Sequence, residues 1–530
     1  MTLTVDDDAT PVPRRTMRWR AHGTAALIAT GAVASIAALS VVVVLHGTGL
    51  RGPGLTIDST TYLLAADVYR DEPSRVAATL NGVFPPGYSA AIVAARSAAG
   101  GPLDAARVVN VAALTSTIVL VAWGVWSARR WTGQAGTAGS RAAAAVIAAA
   151  LVGGSAAMLR WSGAVMAEAL SIAFVVASAV VAERALRSRS IALCAAAGML
   201  GGAAALVRHV ALGTLLGLVL AVALLDRSGR RARIGTAAVV AGAGAATVLA
   251  GTPLLRGSFD STRTVAWHPP GPDDLLEALD TAGGYMLPSG LGTAATRAVA
   301  AGVLVLGTLL LARAAVNVGA HDDAPPPVTT LALVLLVAHL ASVVGSMTLL
   351  DDLTPLDDRI LLPVVPLAAL AAGAAAGAAR SRSVRIVGLS VAALVLASQV
   401  GRVAAWVDEA RTDGIGYAHA MFDHSETLKV VGQLPVDTPL WSNDVSLLYL
   451  RGHRPARLLP SRDDGYARRT ADAYEEELGA LQDDVAGGAV VVVLDYFSFP
   501  SLPSAAELEE LLRPVEVVRL TDGQLIRAAE

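Results

Sequence analysis

Cysteine is nearly absent: Cys194 stands alone in 530 residues, so no intrachain disulfide forms and no cysteine cluster holds structural zinc. Lysine is as scarce, with Lys429 alone among 41 basic side chains. Charged residues reach only 16% and aromatics 4%, where a soluble domain carries ~25% charge. The 41 basic and 44 acidic side chains leave a net charge of -3. That balance lacks the basic excess that neutralises a nucleic-acid backbone, and excludes nucleic-acid binding as the main activity. What remains is apolar: 54% hydrophobic residues and a mean hydropathy of +0.56. The composition is that of a polytopic α-helical membrane protein.

A hydrocarbon core of ~30 Å needs about 20 apolar helical residues. Stretches of that kind fall at about 24–45, 104–127, 142–159, 164–182, 190–207, 209–226, 234–255, 294–314, 328–350, 360–379 and 384–406, about 11 spans by this template. The first follows Arg14, Arg15, Arg18 and Arg20 and outruns the ~7–15 apolar residues of a cleavable signal, so residues 1–23 read as a cytoplasmic tail before a retained anchor. The stretch 86–99 decides the sidedness of everything after it. If it does not cross, the arginines at 129–141, 184–189, 227–233 and 380–385 all fall in cytoplasmic loops, as short loops require. It is therefore expected to be an interfacial or re-entrant helix within a first outer loop, 46–103, with a longer outer loop at 256–293. The C-terminus then lies outside. From 407 to 530 charge returns and strand-like and helix-like segments alternate, so an extracytoplasmic α/β domain follows the transmembrane domain at 24–406. Its strands are expected at 489–494, Leu440-Trp441-Ser442 and Val515–Leu520, and its helices at 471–485 and 504–512.

With this topology the polar residues hardest to explain gather on the outer side: Asp58 to Asp67, Arg160, Glu168, Arg208-His209 and Asp351 to Arg359. Such one-sidedness suggests a site at the outer membrane surface. Asp58 opens a short amphipathic helix and reads either as that helix's N-cap or as a carboxylate facing a lipid headgroup. Glu168, within an apolar span, is expected to face the bundle interior and to pair with Arg160 or Arg208. One of the acids at 351–358 is expected to hold Arg359. Trp123, Trp126 and Trp131 read as interfacial anchors, and the loop at 256–293, with Trp267-His268-Pro269-Pro270 and Gly283-Gly284-Tyr285, as a candidate lid.

Several stretches share an order and spacing. They are Asp58-Ser-x-x-Tyr62, Phe84-Pro85-Pro86-Gly87-Tyr88-Ser89, Ala106-Arg107-Val108-Val109-Asn110, Ala167-Glu168-Ala169-Leu170, Leu206-Val207-Arg208-His209 and Asp357-Asp358-Arg359-Ile360-Leu361. Together they resemble the GT-C superfamily of membrane glycosyltransferases, in the branch with lipid A aminoarabinose transferases and protein O-mannosyltransferases. The resemblance implies an inverting enzyme on the outer face of the cytoplasmic membrane. It implies a polyprenyl-phosphate sugar donor and an envelope glycan, lipid or protein acceptor. Asp58 occupies the family's general-base position. Arg208 and Arg359, then Arg160, are candidates for the leaving phosphate, whose growing charge a guanidinium stabilises. Tyr62, Asp67, Tyr88, Glu168 and His209 are candidates for binding donor or acceptor. The sequence departs from the family pattern at Ser59, where many relatives carry a second acid, and at His209, where an aromatic is commoner. No cofactor is called for, and with one acid beside Asp58 missing a divalent metal is not indicated. The rival classes are a lipid or solute transporter and a non-catalytic envelope protein on the same scaffold.

Overall fold

The computed structural model describes residues 15–529 apart from 72–83, 129–136, 252–266, 289–291, 303–325, 351–354, 380, 463–470 and 497–499. Asn81 to Val83, Trp131, Asp351, Asp352 and most of the expected span at 294–314 lie outside the described residues. The transmembrane part comprises α1 (Arg15–Gly47), α2 (Ile57–Asp71), α3 (Gly87–Ala99), α4 (Pro102–Ser127), α5 (Ala138–Gly153), α6 (Ala156–Ser162), α7 (Glu168–Ser188) and α8 (Ile191–Val207). It continues with α9 (Ala211–Leu225), α10 (Arg230–Ala250), α11 (Pro272–Gly284), α12 (Pro327–Leu349), α13 (Val364–Gly377) and α14 (Arg382–Thr412). Helices α1, α4, α7, α10, α12 and α14 are long and apolar enough to cross a bilayer. This is a multi-pass membrane protein.

The other expected spans that fall on described residues are shorter or broken, for local reasons. The stretch expected as one span at 142–159 is made of two helices, α5 and α6, bent by 55° at their junction. Gly153 and Gly154 weaken the helix there, the Ser40 hydroxyl donates to the Gly153 carbonyl at 3.0 Å, and Ser155 starts α6 by accepting from the Met158 amide. Helix α13 begins only at Val364 because Asp357 Oδ1 accepts the amides of Arg359 and Ile360, both at 3.0 Å, and winds the chain into turns. Helix α3, with 13 residues, is about 20 Å long at ~1.5 Å per residue, well short of the hydrocarbon thickness. It packs on α2 and α4. The bundle core is made close by small residues: Gly124 lies against Leu370 and Val180, and Gly373 against Val125.

The C-terminal part holds β1 (Leu440–Ser442), β2 (Arg457–Leu458), β3 (Val490–Leu494), β4 (Val515–Leu520) and β5 (Gly523–Ala528), with helices α15 (Glu426–Gln433), α16 (Val445–Leu450), α17 (Ala471–Ala486) and α18 (Ala505–Leu511). The strand order is β2-β1-β3-β5-β4. The first three are parallel and β5 runs antiparallel to both its neighbours. β3 is buried on both faces, and the two-residue period of a strand divides its valines between two cores. Val491 and Val493 pack with Leu481 and Leu508. Val490, Val492 and Leu494 join a core that includes Tyr62, Tyr88, Ala106 and Leu447. One face of the sheet thus shares its core with the first-loop helices.

Candidate active site

The site is built from a strap of backbone. Gly54 and Leu55 lie between 163–165 and 415–417. Gly54 donates to the Gly163 carbonyl and accepts from Val165, both at 2.9 Å, and Leu55 exchanges bonds with Ile415 at 3.1 Å and Tyr417 at 2.9 Å. The strap delivers Thr56, which starts α2. Its amide donates to Ser59 Oγ at 2.9 Å while the Ser59 amide donates to Thr56 Oγ1 at 3.4 Å. This reciprocal arrangement works as a capping box. The cap is therefore Thr56 rather than Asp58, and Ser59, fully buried, turns its hydroxyl to the Val165 carbonyl at 2.9 Å. Relieved of capping, the Asp58 carboxylate meets Arg359, with Nη1 at 2.5 Å from Oδ2.

Three other elements converge here. Glu168 is the first residue of α7 and is 2% exposed. Arg208 ends α8 in an extended conformation and forms an ion pair with Glu168 Oε1. Arg359 Nε lies 3.8 Å from the same oxygen. Glu168 Oε2 has no hydrogen-bond partner among the described residues. The result is an alternating chain, Arg208–Glu168–Arg359–Asp58, on the wall of a cavity of about 190 Å³. Tyr62, one turn beyond Asp58, also lines it. Its ring meets Tyr88 edge-on at 4.9 Å, and burial pushes its hydroxyl well up from the ordinary value, so it stays a donor. His209, Phe84 and Pro85 complete this side.

His339, in the middle of α12, was not singled out from sequence. It lines the cavity and its Nε2 sits 3.0 Å from the Ile360 carbonyl, holding the turn that carries Arg359. An ionisable residue inside an apolar run was the available signal. Ser342 does similar work, donating to the Val210 carbonyl at 3.0 Å and tying the α8–α9 tip to α12.

Other expected residues sit apart from the cavity. Asp67 accepts from Arg96 at 2.8 Å and from the Tyr449 hydroxyl at 2.9 Å, joining α2, α3 and α16. Tyr88 is fully buried behind Tyr62. Arg160 lies over the Trp161 ring at 5.5 Å and 3.8 Å from Asp358, whose carboxyl is pushed up mainly by burial, with Arg160 opposing. Among the described acids of its own loop, Asp357 touches Arg359, through the backbone amide. The guanidinium goes to Asp58. Of the long outer loop, Tyr285 donates to the Asp358 carbonyl at 2.9 Å. No cluster of three or more metal-ligating side chains occurs among the described residues.

No protein-family model matches this sequence, and no curated protein sequence matches it. Solved structures do. The crystal structure of ArnT from Cupriavidus metallidurans in the apo state superposes with a TM-score of 0.58 at 14% identity, over 94% of this chain and 98% of that one. The same protein bound to undecaprenyl phosphate gives 0.57 at 12% identity, with the same coverage. ArnT is an aminoarabinose transferase of GT-C type. The chain has the GT-C fold. Identity this low leaves the likeness one of architecture, and it extends past the GT-C bundle into the C-terminal part. Within this fold the charged cluster sits where the first-loop helix, the α7 N-terminus, the α8–α9 tip and the turn before α13 meet.

Proposed function

We propose that this protein is an inverting glycosyltransferase that moves a sugar from a polyprenyl-phosphate donor to an envelope glycan, lipid or protein on the outer face of the cytoplasmic membrane. The observation that carries the reading is the pair Arg208 and Arg359, held at one cavity wall by Glu168 and next to Asp58. Support comes from the shared fold with a protein that binds undecaprenyl phosphate. Two guanidinia fit the bidentate chemistry of a phosphate. The acceptor hydroxyl or amine attacks the anomeric carbon, its proton passes to Asp58, and the bond to the lipid phosphate oxygen breaks with its electrons staying on the phosphate. Arg208 and Arg359 stabilise the charge gained there. A single displacement inverts the anomeric centre. Tyr62 and His209, which line the same cavity, are assigned in this reading to hydrogen bonds with sugar or acceptor.

The test has two parts. Mass spectrometry of envelope glycans and lipids from a deletion strain, complemented by wild type or by Asp58→Ala, identifies sugar and acceptor; loss of one sugar restored only by wild type is the expected result. With the purified enzyme, Asp58→Asn should lower kcat by ~10²–10⁴-fold, the usual contribution of a general base, while undecaprenyl phosphate still binds. Full turnover by that variant would remove Asp58 from the mechanism.

A further inference from the structure

At the end of the bundle remote from Asp58, helices α5, α13 and α14 leave a groove of about 390 Å³, within the usual size of ligand pockets, ~300–1,000 Å³. Its wall is made by small side chains, among them Ala148, Ala372, Gly373 and Ala376, and at its mouth stand Arg382 and Arg385. The helices fix its position. α13 starts at Val364, just past Arg359, and Ala376 lies about 18 Å further along at ~1.5 Å per residue. α14 ends at the opposite side, where Arg411 donates to the His46 carbonyl at 3.3 Å, so its first turn faces away from the active site. Ile386, Val387, Val391 and Leu394 are exposed along α14, as expected of a surface bathed in lipid.

Among the described residues, no acidic side chain lines this mouth. Neither α5 nor α14 has an acidic residue in its first turn, and Arg385 Nε is buried with no hydrogen-bond partner among the described residues. Helix N-termini carry partial positive charge of their own. Two arginines added there give the mouth a positive field that suits an anion. An apolar groove open to lipid with guanidinia at the headgroup level has the chemistry of one ligand class.

We propose that the groove binds one anionic phospholipid of the surrounding bilayer, with an acyl chain along the alanine-lined wall and the headgroup phosphate between Arg382 and Arg385. The site is distinct from the Asp58 cavity and does not depend on the proposed reaction.

Native mass spectrometry of the full chain tests it, with palmitoyl-oleoyl phosphatidylglycerol, palmitoyl-oleoyl phosphatidylcholine and undecaprenyl phosphate as probes. Wild type should retain one phosphatidylglycerol with a preference of about tenfold over phosphatidylcholine, in line with the attraction of two basic side chains to an anionic lipid. The preference should vanish in the Arg382→Gln/Arg385→Gln double variant and retention in Ala372→Phe, which fills the groove from an exposed position. The two act through different atoms, so one well-folded variant decides the matter. Undecaprenyl phosphate binding should be unchanged in both. Equal retention of the two phospholipids, a preference that survives either substitution, or displacement of phosphatidylglycerol from the groove by undecaprenyl phosphate would overturn the proposal.

Discussion

Replacing Glu168 by Gln removes one of two negative charges from the Arg208–Glu168–Arg359–Asp58 chain and leaves the side-chain volume nearly unchanged. Glu168 is 2% exposed while the two arginine side chains are 20% and 21% exposed, so it has the least water to replace a lost partner. At the 3.8 Å between Arg359 Nε and Glu168 Oε1, unit charges in an effective dielectric of ~20 attract by about 4 kcal/mol, and Arg208 is closer still. Partial hydration of the arginines and the amide's remaining hydrogen bond reduce this. Breaking a buried pair costs ~3–5 kcal/mol, and about 3 kcal/mol is expected here. The assay is thermal unfolding of the purified chain in detergent, with and without undecaprenyl phosphate. The variant should melt below wild type and gain more from the lipid, because a phosphate restores the missing anion between the two guanidinia. A variant that melts with wild type, or gains no more than wild type from the lipid, refutes the shared-charge account.

Burial pushes the Asp444 carboxyl up against the opposing bonds from Leu447 and Tyr417. Its contribution to stability is then full below the unfolded value of ~4 and is lost as pH rises through the folded one; Asp444→Asn should match wild type near pH 4 and melt higher at pH 7, and a lower melting point at pH 7 would contradict this. Tyr449→Phe removes the hydroxyl that donates to Asp67 at 2.9 Å and should cost about 1–2 kcal/mol, seen as faster hydrogen exchange across α16, whereas unchanged exchange would mean the bond does not hold the sheet to α2. Gly416 has φ +59, and a Cβ there would run into the Leu55 carbonyl; Gly416→Ala should lose at least ~1–2 kcal/mol and lower kcat as well, because the strap ends just before Asp58.

Much of the bundle was legible because a span is a matter of length and apolarity. What those criteria miss is local. Gly153-Gly154-Ser155 interrupts a run whose average hydropathy hides it, and Asp357 delays α13 through two side-chain bonds that no window average records. β5 escaped because Gln524 and Arg527 break its apolar pattern, though its pairing with β3 buries it. Thr56 and Asp58 are both good caps, and what decides between them is Ser59, which reciprocates with Thr56. The motifs named Asp58, Glu168, Arg208 and Arg359, and the apolar setting of Glu168 offered Arg208 as one of two partners, but nothing joined Asp58 to Arg359, 301 positions away. Asp67 was grouped with Asp58 by nearness in sequence. Nine residues of helix carry it about 13 Å further along α2, onto Arg96 and Tyr449.

The pairing itself bears on how the proposed reaction is ordered. Two guanidinia and two carboxylates make the cluster neutral, so a lipid phosphate that engages Arg359 competes with Asp58 for the same donor. The turn bearing Arg359 is anchored from three sides, by Asp357, by His339 on the Ile360 carbonyl and by Tyr285 on the Asp358 carbonyl. The strap and the Thr56–Ser59 cap anchor Asp58 just as firmly. Neither backbone needs to move for the exchange, because only the Arg359 side chain has to swing from carboxylate to phosphate. Donor binding then frees the base in the same step that places the leaving group. A carboxylate held by arginine until the donor arrives is a poor base for water or for an acceptor that comes first. The geometry thus favours donor before acceptor, and product-inhibition kinetics in which undecaprenyl phosphate competes with the donor but not with the acceptor are the expected signature.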